Sequence, residues 1–140
     1  PQGAEPRIAI IQTIKLKNNV QLILVNVHFD WTKPELRVPQ AERLIRRLNE
    51  INLPAIVLGD YNAEPESPTL KFFEKSGFLP VQKNENNLTW NAAAPTVEID
   101  HIYYRPSQNI AIKPVSITVL NEPEASDHRP VVAKIKITKK

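Results

Sequence analysis

Two apolar runs, VQLILVNVHF at 20–29 and AIVLG at 55–59, flank a stretch with helical periodicity, and this order restricts the fold most. In the first run Val20, Leu22, Leu24, Asn26 and His28 share one face by the period of two, so an apolar face ends in two polar groups. In the intervening stretch Ala41, Leu44, Ile45, Leu48 and Ile51 recur at helical spacing, while Glu42, Arg43, Arg46, Arg47, Asn49 and Glu50 occupy the other side. Pro39 lacks an amide hydrogen, so the regular helix is expected to start or kink near it, and Pro54 closes the segment. The run AIVLG is apolar without alternation, as strands covered on both faces tend to be.

The remaining elements extend this pattern. Arg7 to Leu16 reads as a strand joined by a polar turn at 17–19 to the one that follows. In SPTLKFFEKSG, Ser67 is the expected N-cap, Pro68 the first helical residue and Gly77 the stop. The segment QKNENN reads as polar loop. VEIDHIYY, IAIKPVSITVL and RPVVAKIKI read as three further strands, with Pro114 marking an edge or a bulge. The order ββαβαβββ predicts an α/β protein with a mixed β-sheet and helices on one face, whose other face is left apolar and in need of a partner. A chain of 140 residues suits one domain, and 41% apolar with 24% charged residues excludes a disordered or fibrous class.

A net charge of +3 leaves room for a phosphate-bearing partner without selecting one. The absence of cysteine excludes disulfides and thiolate metal sites and leaves the compartment open. No apolar run approaches the roughly 18 residues of a membrane span, and PQGAEP has neither an initiator Met nor the features of a signal peptide. The expectation is a soluble chain that begins within a longer gene product.

Polar clusters fall at the strand ends: NVH at 26–28, GDYN at 59–62, TW at 89–90, IDH at 99–101 and SDHRP at 126–130. In α/β sheets the carboxyl ends of strands are where ligands collect. Oxygen donors without thiolates favour Mg²⁺, Mn²⁺ or Ca²⁺ over a structural zinc, and Mg²⁺ takes one or two carboxylates and leaves room for substrate phosphate oxygens. A histidine oriented by a carboxylate on another strand can serve as a general base. Taken singly, each cluster also has a plainer reading. Gly-Asp-x-Asn is ordinary turn chemistry, and His28 fits a packed histidine. His101 is expected to point away from Asp100, Trp31 and Trp90 to be packing residues, with lining of a substrate groove as the lesser alternative, and Arg43, Arg46 and Arg47 to be the solvated face of the helix and not a nucleic-acid patch.

Read in order, VNVH, VLGDYN, IDHIYY and SDHRPVV resemble the endonuclease/exonuclease/phosphatase superfamily, the fold of deoxyribonuclease I, apurinic endonucleases, neutral sphingomyelinases and inositol polyphosphate 5-phosphatases. Arg37 and Gln40 opening the helix, and TW shortly before IDH, add to the resemblance. It implies a divalent-metal-dependent phosphoesterase using Mg²⁺ or Mn²⁺. Asp60 and Asn62 would orient the attacking water, contact the phosphate and serve as metal ligands. Asp127 would be a metal ligand, and His128 a catalytic histidine paired with Asp100, acting as base or as a hydrogen-bond donor to the phosphate. His28 would donate to a phosphate oxygen with Asn26 supporting it, and Arg7 is a further candidate for phosphate contact.

The same resemblance implies that residues 1–140 form a single region, the C-terminal half of a four-layer α/β sandwich of about 250 residues. The metal-binding Glu, an Asn and a carboxylate expected in the N-terminal half have no counterpart motif here, so the isolated chain is expected to be inactive. Its partners would be a phosphate ester (nucleic acid, phospholipid headgroup or sugar phosphate) and its own N-terminal half or a second copy of the chain. The alternative is a noncatalytic fragment or interaction module that keeps the fold.

Overall fold

The structure, a computed structural model, describes residues 5–83 and 86–140. Residues 1–4, and the middle of the loop expected at 82–87, lie outside the described residues. Strand β1 (Ala9–Lys15) pairs antiparallel with β2 (Gln21–His28) through a single 3-10 turn at Lys17–Asn19. Helix α1 (Pro34–Ile51) crosses to β3 (Ala55–Asp60), which lies parallel to β2. Helix α2 (Pro68–Lys75) leads to the short β4 (Leu79–Pro80), then β5 (Asp100–Arg105), β6 (Ile110–Val119) and β7 (Val131–Lys139). The first sheet has five strands in the order β1-β2-β3-β5-β4, and β6 and β7 form a second, two-stranded sheet.

Alternation sends the residues of β2 to two separate cores. Ile23, Val25 and Val27 join Val57 in a cluster with Ala41, Leu44, Ile45 and Leu48 of α1 and Leu70 and Phe73 of α2. This is the helix-covered face the periodicity predicts. On the opposite face Leu22, Ile56, Ile102 and Val81 form a cluster with Ile112 and Ile117 of β6, against which Val131, Ala133, Ile135 and Ile137 of β7 pack. The expectation of an uncovered second face is therefore corrected: the C-terminal runs leave the first sheet and fold over it. Apolar surface persists elsewhere, with Ile8 and Ile10 of the first-sheet edge 77% and 60% exposed.

Pro39 lies inside α1 and does not start it. Pro34 takes the first turn, where its missing amide is free of cost, and the one bond Pro39 forfeits is outweighed by the buried stripe of Ala41, Leu44, Ile45 and Leu48. The helix ends before Pro54, at Asn52, whose φ of 54° is left-handed and whose N–H donates to Leu48 O. In α2, Ser67 accepts from Leu70 N as the N-cap expected. At Pro114 the β6–β7 register shifts, the bulge that a proline there implies.

Gly59 fixes the approach of β3 to β2. Its φ is +135°, and a Cβ there would overlap the Val27 carbonyl oxygen and come within 2.9 Å of Asn26 Oδ1. Only glycine lets the two strands close with Asn26 lying across the gap. Gly59→Ala should lower stability by at least about 3 kcal/mol, combining a strained φ with overpacking against backbone. Urea denaturation followed by circular dichroism measures the loss, and a stability equal to that of the native chain would refute the reading.

Candidate active site

Strand register assembles the site. Because β2 and β3 are parallel, both finish at the same edge of the sheet, with His28 the partner of Asp60. Strand β5 is antiparallel to β3 and so begins where β3 ends, with Asp100 the partner of Asp60. His28, Asp60 and Asp100 thus stand in a row across three strands. The site therefore takes Asp100 from the amino end of its strand, a departure from the rule that carboxyl ends supply the groups. The loop before β7 brings His128 over this row, where its ring Nδ1 is 2.8 Å from Asp100 Oδ2.

Asp60 is the junction. Its Oδ1 accepts the Asn62 N–H at 2.7 Å, and its Oδ2 lies 3.4 Å from His28 Nε2 and 3.8 Å from His128 Nε2. The turn holds because Asn62 adopts a left-handed φ of 47° and donates its side-chain amide to Phe29 O at 3.0 Å. Between them, Tyr61 is completely buried against Phe29, Phe73 and Tyr103, anchoring the turn in the helix-side core. The result is a cleft of about 860 Å³ whose walls include Asn26, His28, Asp60, Asn62, Asp100, Asp127 and His128.

Three supports hold these groups. The β2–α1 loop is organised around the buried Asp30, whose Oδ1 accepts from Thr32 N, Thr32 Oγ1 and Lys33 N. Its own N–H donates to Gln40 Oε1 at 3.0 Å, and Arg37 Nε donates to its carbonyl at 2.6 Å. The Lys33 N–H, foremost among these contacts, holds the Asp30 carboxyl below its ordinary range despite burial. The second support is Thr89, whose Oγ1 accepts from the N–H groups of Ile99 and Asp100, while Trp90 bridges to both Val97 and His128.

The third is the buried cation Lys83, whose Nζ donates to Glu98 Oε1 at 2.6 Å and to the Asp100 carbonyl at 2.7 Å. Asn87 donates to the other Glu98 oxygen, and His101 stands 3.7 Å from Glu98. This buried pair has the extra hydrogen bonds that such a pair requires.

Burial is the main cause raising the Asp60 pKa, with the Asp100 charge adding to it, against the Asn62 N–H and the two histidines. For His128, desolvation favours the neutral ring, but the Asp100 hydrogen bond and the charges of Asp100, Asp60 and Asp127 outweigh it and raise the pKa overall. A more basic carboxylate thus faces an imidazole biased toward its cation. Among the described residues no three His, Asp or Glu side chains form a ready-made metal cage. The donors at the cleft, Asp60, Asn62 and the exposed Asp127, fit an ion that draws its other ligands from water and substrate.

Of the residues singled out in the sequence, Asn26, His28, Asp60, Asn62, Asp100, Asp127 and His128 share the cleft. Arg7 is not among its lining residues and lies on the other side of His28. His101 points into the helix-side core, its Nε2 donating to Ala63 O at 2.8 Å and its ring against Tyr61, as alternation predicts. Trp31 and Trp90 are not packing residues: they are 62% and 39% exposed and line the cleft. The sequence singles out neither Asp30 nor Lys83, and it marks Thr89 only as part of the TW cluster, not for the role of its hydroxyl. Asp30 had a local signal in Asp-x-Thr-Lys-Pro before a helix, whereas the other two act through contacts distant in sequence.

Residues 18–128 match the Endonuclease/Exonuclease/phosphatase family, and the chain belongs to it. A mannosyl-6-phosphatase from Bacteroides thetaiotaomicron superposes with a TM-score of 0.80 at 25% identity over 94% of this chain and 57% of its own. A conserved protein of unknown function from Enterococcus faecalis gives 0.82 at 22% identity, covering 97% and 58%. The human Nocturnin catalytic domain, solved with a bound sulfate anion, gives 0.71 at 25% identity, covering 94% and 53%. The chain thus spans little more than half the length of these relatives. Comparison with curated protein sequences finds no match.

The buried His101 sets a pH dependence. Desolvation, followed by the Lys83 charge, lowers its pKa below the ordinary histidine value in spite of the Ala63 carbonyl and nearby carboxylates. The unfolded chain therefore binds the proton first. Stability is full above the ordinary value near 6.5 and falls as the pH drops through the folded value, by at most about 1.4 kcal/mol per pH unit. His101→Gln keeps a donor for Ala63 O and should flatten this fall between about pH 6.5 and 5. Urea midpoints across that range measure it, and identical slopes in both proteins would count against the assignment.

Proposed function

We propose that this chain carries part of the active site of a divalent-metal-dependent phosphoesterase. The observation that carries the reading is the convergence of His28, Asp60 and Asp100 in one register row beneath His128, with a 2.8 Å His128–Asp100 contact. The family match and the phosphatase among the structural relatives support the same reaction class. Asp60, Asn62 and Asp127 would hold Mg²⁺ or Mn²⁺, and the ion, when bound, supplies charge stabilisation on phosphoryl and leaving oxygens.

The side chains then divide the work. Asp60, made more basic by burial, orients the attacking water and accepts its proton as oxygen adds to phosphorus and the ester oxygen departs opposite it. Asn62, fixed by Phe29 O, keeps Asp60 turned toward the water. His128, held by Asp100 and biased toward its cation, donates from Nε2 to a phosphate oxygen whose charge grows in the transition state. His28 donates from the opposite side of Asp60, and Asn26 stands beside it at the cleft wall. Arg7, which lines the groove beyond His28, would contact a phosphate outside the cleft.

Structural relatives are longer, and we infer that residues 1–140 act as the C-terminal half of the catalytic unit, completed by an N-terminal half. Exposed apolar side chains on the β1 edge and on β7, such as Ile10 and Val132, are consistent with such a neighbour. Hydrolysis of a generic phosphodiester should require Mg²⁺ and the longer protein, be lost on chelation, and fall by at least ~10² in His128→Ala and in Asp60→Asn. Steady-state kinetics on the longer protein and on this chain provide the test. Undiminished activity in both variants would overturn the site, and a noncatalytic module would show no turnover in either form.

A further inference from the structure

His28 is shared by two hollows. Besides the catalytic cleft it lines a groove of about 340 Å³ between the edge strand β1 and helix α1. The charged side chains of that groove are Arg7, Arg43 and Arg47, joined by the amide of Gln40, and no Asp or Glu lines it. Arg43 and Arg47 stand one helical turn apart on the same face of α1, whereas Arg46 turns away to Glu42. Helix periodicity alone marks all three as one solvated face, and only the strand beside the helix separates them.

The three cations are weakly compensated. Arg47 meets Glu50 at 2.8 Å, but both are more than half exposed, and such surface pairs are worth little. The Arg7 side chain is mostly buried, and its Nε, shut off from solvent, has no hydrogen-bond acceptor among the described residues. Among the described residues its terminal nitrogen meets the exposed Glu5, at 3.3 Å. The buried stem holds the Arg7 guanidinium in place at the groove, and the terminal nitrogens of guanidinium forks match phosphate oxygens. Arg7 also contributes charge toward the buried Asp30, so it has structural work as well. Arg43 and Arg47 are exposed helix residues outside the core, which makes them the informative positions.

We propose that Arg7, Arg43 and Arg47 form a second phosphate subsite, separated from the cleft by His28. The substrate then carries two phosphates, one at the cleft and one in the groove. This rests on the phosphoesterase reading and narrows it: substrates with a neighbouring phosphate are preferred over those with a single one. The second phosphate can belong to an oligonucleotide or to a phosphorylated sugar, since the groove reads its charge and geometry alone.

Calorimetric binding to the intact protein tests this with two probe pairs: a thymidine dinucleotide with and without a 5′-phosphate, and glucose 1,6-bisphosphate against glucose 1-phosphate. In at least one pair the member with the extra phosphate should bind about tenfold or more tightly, the scale of one charge-assisted hydrogen bond. Arg43→Glu combined with Arg47→Glu should remove that advantage and leave the other member unchanged. The pair that shows the advantage identifies the source of the phosphate. No advantage in either pair, or an advantage that survives the double substitution, overturns the subsite. Failure of the catalytic reading looks different: His128→Ala would leave hydrolysis intact while the discrimination between probes persisted.

Discussion

The Val27 carbonyl occupies the space that any side chain at position 59 would need, and this contact governs where β3 can lie against β2. With glycine there the strands close in parallel register, and Asp60 comes to rest beside His28. The next strand inherits that alignment, because β5 pairs with β3 and brings Asp100 level with Asp60. A shift of one residue in either pairing would turn these side chains to the opposite face. The geometry of the cleft is therefore a consequence of backbone fit further back, set by Gly59, Val27 and the buried Tyr61.

Placing two carboxylates opposite one another on adjacent strands is unfavourable by itself. The structure offsets it from three sides. His128 sits against Asp100 and approaches Asp60, His28 flanks Asp60, and the Asn62 N–H is directed at Asp60 Oδ1. Behind Asp100, Lys83 binds its carbonyl and Glu98 together, so a buried cation braces the start of β5 without touching the cleft. The site is polar on its open side and cross-linked on its closed side. That combination keeps charged groups close without letting them relax apart.

Much of this was legible in the sequence, and the limits have a physical source. Elements announced by period, cap or proline were readable: the amphipathic stripe of α1, the Ser67 cap, the bulge at Pro114 and the inward turn of His101. The motifs NVH, GDYN, IDH and SDH named the residues of the cleft, but not that Asp60 and Asp100 are register partners, since pairing depends on the direction of β5. What failed to show were properties set by how the loops fold and by neighbours distant in sequence. Trp31 and Trp90 have the composition of core residues and are exposed because Asp30 and Thr89 hold their loops at the rim. Lys83 looks like one more loop lysine until Glu98 is brought to it.

On the proposed function, the arrangement also separates the groups that would make the reaction from those that would choose the substrate. The row of His28, Asp60 and Asp100 is tied to strand pairing and cannot drift without loss of the sheet. The exposed walls are tied to loops and to the outer face of α1, where Trp31, Trp90, Arg43 and Arg47 tolerate change at little cost in folding. Around His28 this chain has aromatic faces on one side and guanidinium groups on the other. On the proposed function, that asymmetry would suit a substrate long enough to reach past the histidine in both directions.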